Sequence, residues 1–360
     1  MRKASLILLS VLLLGGMVFA AGTTEQKAPA KSAAIKIGLS FSDFVTERWP
    51  VEDAYMTKLA AAQGVQVISQ VANHDVKLQN DQIENMVLQG VNVIIIIAED
   101  GAAVATAVDE AAKAGVKTIA YDRLIKSPNI SAYISFDNTE VGRAEARGVV
   151  KVLDHGNFML MGGSPTDNNA VLVRNGQMEV LKPLIDAGKI KVVADQWVDN
   201  WDPPTATKIM ENVLTAQNNK IDAVVASNDG TAGGAIQALK AQGLAGKVPI
   251  SGQDATAEGC NNIVKGFQAV TVYKDIRLLS PMAIDMAIKL AKGQPIDGLT
   301  MFNLSDLTLD KNMKGQVPCK FLPVVQVDKS NVYDQIVKSG FQTYDDVYRD
   351  IPDSQRPAKP

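Results

Sequence analysis

From Ile35 onward the chain alternates short, almost purely apolar runs with longer stretches in which apolar residues recur every three or four positions. The short runs fall at 35–40, 65–71, 91–97, 117–121, 131–136, 157–161, 190–193, 221–227, 249–252 and 269–273. Val91-Asn92-Val93-Ile94-Ile95-Ile96-Ile97 is nearly continuous in apolar residues, the pattern of a strand buried on both faces. Amphipathic stretches at 81–89, 102–114, 205–214 and 231–242 are predicted helices. Gly64, Gly90, Gly115 and Gly243 close helical stretches, where a C-cap takes positive φ. Strand–helix–strand order with short links predicts parallel sheets covered on both faces.

So many strands exceed one small sheet, and the fold class is α/β with two doubly wound parallel-sheet lobes. The first lobe is predicted over 35–138 plus about 275–305, because the helical stretch 278–292 returns to it. The second is predicted over 139–274 plus about 306–340. Strand-like segments at 301–304 and 321–327 are expected to cross between the lobes and complete a multi-crossover hinge. The tail 341–360 is expected to drape over the surface.

Before the first strand stands a different kind of segment. Arg2 and Lys3 precede an apolar run from Leu6 to Phe19, and Val18-Phe19-Ala20 offers a small-residue cleavage site. These are the parts of a secretory signal peptide over 1–20, shorter than the roughly 20 apolar residues of a spanning helix. No Cys follows the run, so a lipid anchor is not expected. Residues 21–34 read as a tether. The expected location is periplasmic or extracytoplasmic.

Composition then narrows the partners. The 360 residues are 46% hydrophobic and 21% charged, with net charge −3. No dense Lys/Arg run is present, which argues against a nucleic-acid partner. Cys260 and Cys319 permit one bridge in an oxidising compartment, but two separate buried thiols are the reading favoured.

In open α/β sheets ligands bind beyond the carboxyl ends of the strands. The first strand leads to Thr46-Glu47-Arg48-Trp49, and the fourth ends in Asp122-Arg123. The run 157–161 leads through Gly162-Gly163-Ser164-Pro165-Thr166-Asp167-Asn168-Asn169, with Arg174 on the helix behind it. Gln196-Trp197-Val198-Asp199-Asn200-Trp201, Asn228-Asp229, Gln253-Asp254 and Lys274 follow other strands. Carboxylates, amides and cations suit hydroxyls that both donate and accept, and flat rings suit the C–H faces of a sugar. Trp49 and Trp201 supply one ring from each lobe.

These strings carry a resemblance. Asp43-Phe44-Val45-Thr46-Glu47-Arg48-Trp49, Ala120-Tyr121-Asp122-Arg123 and Tyr133-Ile134-Ser135-Phe136-Asp137-Asn138 resemble the periplasmic D-xylose-binding proteins, members of the type I sugar-binding family. Leu160-Met161-Gly162-Gly163-Ser164-Pro165, Asp195-Gln196-Trp197-Val198-Asp199, Ala226-Ser227-Asn228-Asp229 and Ser251-Gly252-Gln253-Asp254-Ala255 are similar to the same family. The resemblance covers about 35–292 and is looser afterwards. It implies sugar contacts from Arg48, Trp49, Asp122, Arg123, Asn169, Arg174, Trp201, Asn228, Asp254 and Lys274, with the two indoles sandwiching the ring. Glu47, Asp167 and Asp229 are expected just behind them. Ala98-Glu99-Asp100-Gly101 is more acidic than the family pattern and is expected to be a solvated loop. The resemblance further implies capture of D-xylose by a monomer and delivery to an ABC permease, with a chemoreceptor left open as a second partner.

Other readings are weaker on the residues. A glycosidase would need one of Asp122 and Asp254 to keep its proton, and each has a cation expected beside it. His74 and His155 have neither metal nor triad spacing, so no metal, cofactor or catalytic residue is expected. Asp310-Lys311-Asn312-Met313-Lys314-Gly315 lacks the fifth-position acid of a calcium loop. A sugar-responsive repressor would open on a DNA-reading helix pair rather than an export signal. A different aldopentose or hexose remains the nearest alternative ligand.

Overall fold

A computed structural model describes residues 34–360; the expected signal peptide and residues 21–33 of the tether lie outside the described residues. The chain begins β1 (Lys36–Phe41), α1 (Arg48–Ala62), β2 (Gln66–Val71), α2 (Val76–Leu88), β3 (Val93–Ile96), α3 (Ala105–Lys113), β4 (Lys117–Tyr121) and β5 (Ala132–Phe136). It then crosses into α4 (Asn138–Val152), β6 (Gly156–Gly162), α5 (Asn168–Asp186), β7 (Ile190–Trp197), α6 (Pro203–Ala216), β8 (Ala223–Ala226), α7 (Asp229–Ala241), α8 (Ala257–Lys265) and β9 (Thr271–Tyr273). α9 (Ile276–Ala291), β10 (Thr300–Asn303), α10 (Leu304–Thr308), β11 (Gln316–Leu322), β12 (Val325–Val327) and α11 (Tyr344–Val347) complete it.

A 7-stranded sheet runs β10-β11-β5-β4-β3-β1-β2, parallel except for the edge pair β10–β11. Strand order reverses between β1 and β3, which opens a crevice at their carboxyl ends. All four residues of β3 are buried, as its unbroken apolar run requires. α9 packs on this sheet, burying Leu279, Ala283, Ile284 and Ala287 against Ile37, Ile95 and Ile119.

The second lobe is built on β7-β6-β8. Residues 249–253 extend it through single parallel bridges, Val224 to Ile250 and Gln253 to Val272, and β12 joins β9 antiparallel. The run expected as a strand at 249–252 makes only these bridges. The lobes are linked between β5 and α4, β9 and α9, and β11 and β12.

Two expectations need correction. Residues 306–322 do not join the second lobe: β11 pairs parallel with β5, and Val317 and Cys319 are buried in the first lobe's core. The chain crosses only after Leu322. Nor does the tail simply drape, because Val347 and Tyr348 are buried beside α8. Asn261 of α8 donates to Val347 O (3.0 Å) and Arg349 O (2.9 Å), closing the tail's backbone groups. Cys260 and Cys319 are unpaired, each buried in a different core.

Short polar residues fix where the helices behind the strand ends begin. Asp137, Asp167, Asn228, Thr256 and Asp275 each accept a backbone N–H of the following first turn. The loops between strand end and cap are therefore short and held at both ends. Those loops carry the candidate site.

Candidate functional site

The carboxyl ends of the two sheets face each other across a cleft, and some of the ion pairs within it, Arg48 to Asp254 and Arg123 to Asp167 among them, run between lobes. From the first lobe, α1 opens with Arg48 and Trp49 just past the β1 loop, where Asp43 Oδ1 accepts Thr46 N (2.7 Å). After β4, Asp122 turns at φ +59°. That region is open to Asp and Asn but costs most other residues. Its backbone oxygen accepts from Ser135 Oγ (2.7 Å), Asn169 Nδ2 (3.0 Å) and Tyr133 Oη (3.1 Å), which hold the turned peptide.

The Asp122 carboxylate gathers the cations. Arg48 Nη1 donates to it at 3.0 Å, Lys274 Nζ stands 3.7 Å away, and Asn169 Nδ2 donates at 3.0 Å. Burial pushes its pKa up, but Arg48, Lys274 and Arg123 together outweigh that and hold it below the usual carboxylate range. Arg48 Nη1 also reaches Asp254 Oδ1 at 3.5 Å across the cleft. Asp254 is itself at φ +91°, followed by Ala255 at +50°. Strained backbone at both aspartates is the kind that gathers at working sites.

Arg123 is pinned on several sides. Its Nε lies 3.1 Å from Asp167 Oδ2, its Nη1 donates to Ala98 O (3.1 Å), and Glu99 and Asp43 stand 3.9 and 4.0 Å away. Trp201 Nε1 donates to the same Asp167 oxygen at 3.2 Å. Trp49 lies under the guanidinium groups of Arg48 (4.5 Å) and Arg123 (5.6 Å), a cation–π arrangement. Asn228 uses its side-chain oxygen to cap α7 (Thr231 N, 2.8 Å), which leaves its NH2 to donate.

Arg48, Trp49, Asp122, Arg123, Asn169, Trp201, Asn228, Asp254 and Lys274 together line one cavity of about 20 Å³. One water needs about 10–15 Å³, whereas small-molecule clefts run to about 300 Å³ and more. With the lobes shut this far, the charged groups of one lobe fill the space with those of the other. A wider space of about 530 Å³ opens beside it, sharing Arg48, Trp201, Asn228 and Asp254 and edged by Pro203 and Gly233.

Arg174 does not join them. Its Nη1 pairs with Asp195, its Nε donates to Gln177 Oε1 (3.0 Å), and its guanidinium lies 4.9 Å from the Trp197 ring. A long side chain on the second turn of α5 finds the end of β7 before it finds the cleft. Asp167, Thr46 and Gln253 line the cavity instead. Asp167 was expected only behind the site; its place just before α5 marks a cap, and the cap's second oxygen is the one that faces Arg123 and Trp201. The loop after β3 differs as well: Glu99 is buried, accepts near His74 Nδ1 (3.1 Å) and faces Arg123 rather than solvent. Asp43, His74 and Glu99 bring ligand-type atoms within 4.8 Å of one another, but the nearby Arg123 already supplies those carboxylates with a cation.

Asp229 lies behind Asp254, accepting from Gln268 Nε2 (2.7 Å), Thr256 N (2.9 Å) and Thr271 Oγ1 (3.0 Å). Burial dominates, aided by Asp254, and raises its pKa from 3.8 to about 7. The folded state then holds a proton that the unfolded chain has released, so stability falls as pH rises from about 4 to about 7. Urea titrations from pH 4 to 8 should show this slope, and Asp229→Asn, which cannot titrate, should reduce it. An equal slope in both proteins would exclude Asp229 as its source.

Residues 37–295 match the family described as a periplasmic binding protein domain. The chain is 50% identical over 318 residues to the D-xylose-binding periplasmic protein of Escherichia coli (strain K12), covering 88% of this chain and 93% of that one. It is 47% identical over 325 residues to the D-xylose-binding periplasmic protein of Haemophilus influenzae, covering 90% and 96%. Among solved structures, an ABC transporter solute binding protein from Clostridium phytofermentans with bound β-D-glucose superposes with a TM-score of 0.77 at 30% identity, covering 87% of this chain and 99% of that one.

Proposed function

This chain belongs to the periplasmic binding protein family, and we propose that within it the protein captures D-xylose outside the cytoplasm and hands it to an ABC permease. The observation that carries the reading is a cleft with one indole from each lobe, Trp49 and Trp201, inside a rim of Arg48, Asp122, Arg123, Asn169, Asn228, Asp254 and Lys274. A pyranose offers C–H surface above and below and hydroxyls around its edge, and this set meets both.

The rim pairs with itself when the lobes shut on 20 Å³, so a sugar enters when they part. It then replaces the direct bonds, such as Arg48 to Asp254, with bonds through its own hydroxyls. Only the shut form lets groups of both lobes hold one ring, so sugar binding draws the equilibrium toward closure. The permease reads that shape.

The charges at the two facing aspartates favour capture over hydrolysis. A glycosidase needs one carboxyl that keeps its proton. Here Asp122 and Asp254 share Arg48, and Asp122 is held below the usual range. A hexose is the second reading, favoured by the β-D-glucose bound in the 30% identical relative.

A thermal-shift panel over xylose, ribose, arabinose, glucose and galactose separates these. A cognate sugar at about 100 times its Kd adds about 2.7 kcal/mol to stability. Xylose is expected to give the largest rise at equal concentration. A larger rise with glucose would transfer the assignment to a hexose, and no rise with any sugar would defeat it.

A further inference from the structure

Behind the cavity, and outside its lining, lies a buried carboxylate that binds no sugar-facing space. Glu52 sits one turn after Arg48 on α1, is 0% exposed, and accepts Arg48 Nε at 2.5 Å. Its other oxygen accepts the Tyr121 hydroxyl at the end of β4, and Ser280 Oγ of α9 stands 3.5 Å from it and 2.9 Å from Tyr121 Oη. Three elements of one lobe thus converge on a single carboxylate.

We propose that Glu52, held by Tyr121 and Ser280, is the positioning residue that fixes the Arg48 guanidinium for the sugar; the proposal rests on the capture reading above. The guanidinium is planar, so fixing Nε fixes the plane and the direction of both terminal nitrogens. Nη1 then meets Asp122 and Asp254, while Nη2 is buried with no partner among the described residues. A buried donor without a partner is costly, and here it is available to a sugar hydroxyl. Without Glu52 the Arg48 guanidinium is held only through Nη1, by Asp122 and Asp254, and over Trp49, so its plane is no longer fixed at Nε, and ordering it at the moment of binding weakens affinity. The carboxylate does this without touching the ligand.

The test is a double-mutant cycle read by calorimetry with D-xylose, on Glu52→Gln, Arg48→Ala and the pair. Glutamine keeps the size and can still accept from Tyr121, but it loses the charge that Arg48 pairs with. Affinity is expected to fall by about tenfold or more, the ratio equal to about 1.4 kcal/mol. In the Arg48→Ala background the same change should alter affinity by less than about twofold, because its effect passes through Arg48. A merely structural role would lower affinity equally in both backgrounds, and that result overturns the proposal. So does an unchanged affinity in Glu52→Gln. If that variant does not fold, Tyr121→Phe carries the test: about a three- to tenfold loss is expected from one missing hydrogen bond, and no loss overturns it. Unmodified protein that bound no monosaccharide would instead bring down the capture reading, and this inference with it.

Discussion

Asp122→Ala is expected to destabilise the protein by about 3–5 kcal/mol and to abolish xylose binding, the largest combined effect of any single change in the cleft. Two causes add. The carboxylate pairs with Arg48 and Lys274, both nearly out of contact with solvent; removing it leaves Lys274 with no carboxylate within 4 Å among the described residues and Arg48 with only Glu52 and Asp254. Alanine also resists the φ of +59° that aspartate adopts there. Asp122→Asn separates the causes, since asparagine tolerates that backbone and loses only the charge. Urea unfolding should place Asn between wild type and Ala, with calorimetry detecting no xylose heat in either. A near-normal midpoint in Asp122→Ala would mean that the buried cations are stabilised by something else.

Trp201→Ala is expected to weaken xylose binding by about a hundredfold, about 2.8 kcal/mol, while the folded state survives. The ring supplies one flat wall of the cleft, and burying an aromatic face of this size against a ligand contributes about 1.5–3 kcal/mol. Its Nε1 also holds the Asp167 oxygen that faces Arg123. Little else depends on it. The indole lies flat on Gly163, where a Cβ would stand 2.1–2.2 Å from ring atoms. Gly163→Ala should therefore push the ring aside and imitate the Trp201 truncation in calorimetry, although no aromatic atom is removed. Undiminished affinity in both variants would take Trp201 out of the site.

Much of the site was readable because a parallel sheet leaves its ligand groups at strand ends. Asp122, Asn228, Asp254 and Lys274 each follow an apolar run within a few residues, and all of them line the cavity. Arg174 illustrates where that logic weakens. It stands on the second turn of α5, twelve residues past the end of β6, and seven atoms of side chain reach whichever acid is nearer, here Asp195. Glu99 fails in the opposite direction: an acidic loop looks solvated in sequence, yet Arg123, brought from the neighbouring strand β4, gives it a buried partner. Glu52 could not have been singled out, since Arg48 and Glu52 at four-residue spacing look like any helical surface pair until Tyr121 and Ser280 close over them.

Sequence by itself determined the alternation of strand and helix, the division into two parallel-sheet lobes and the places where polar groups leave the strands. These follow from local periodicity and from short capping residues, neither of which needs distant partners. Tertiary structure alone decided that β11 stays in the first sheet until Leu322, that Asp167 faces inward, and how the cations are shared among carboxylates from both lobes. Strand pairing and burial of charge depend on residues far apart in the chain, and their energies exist only once the lobes have met.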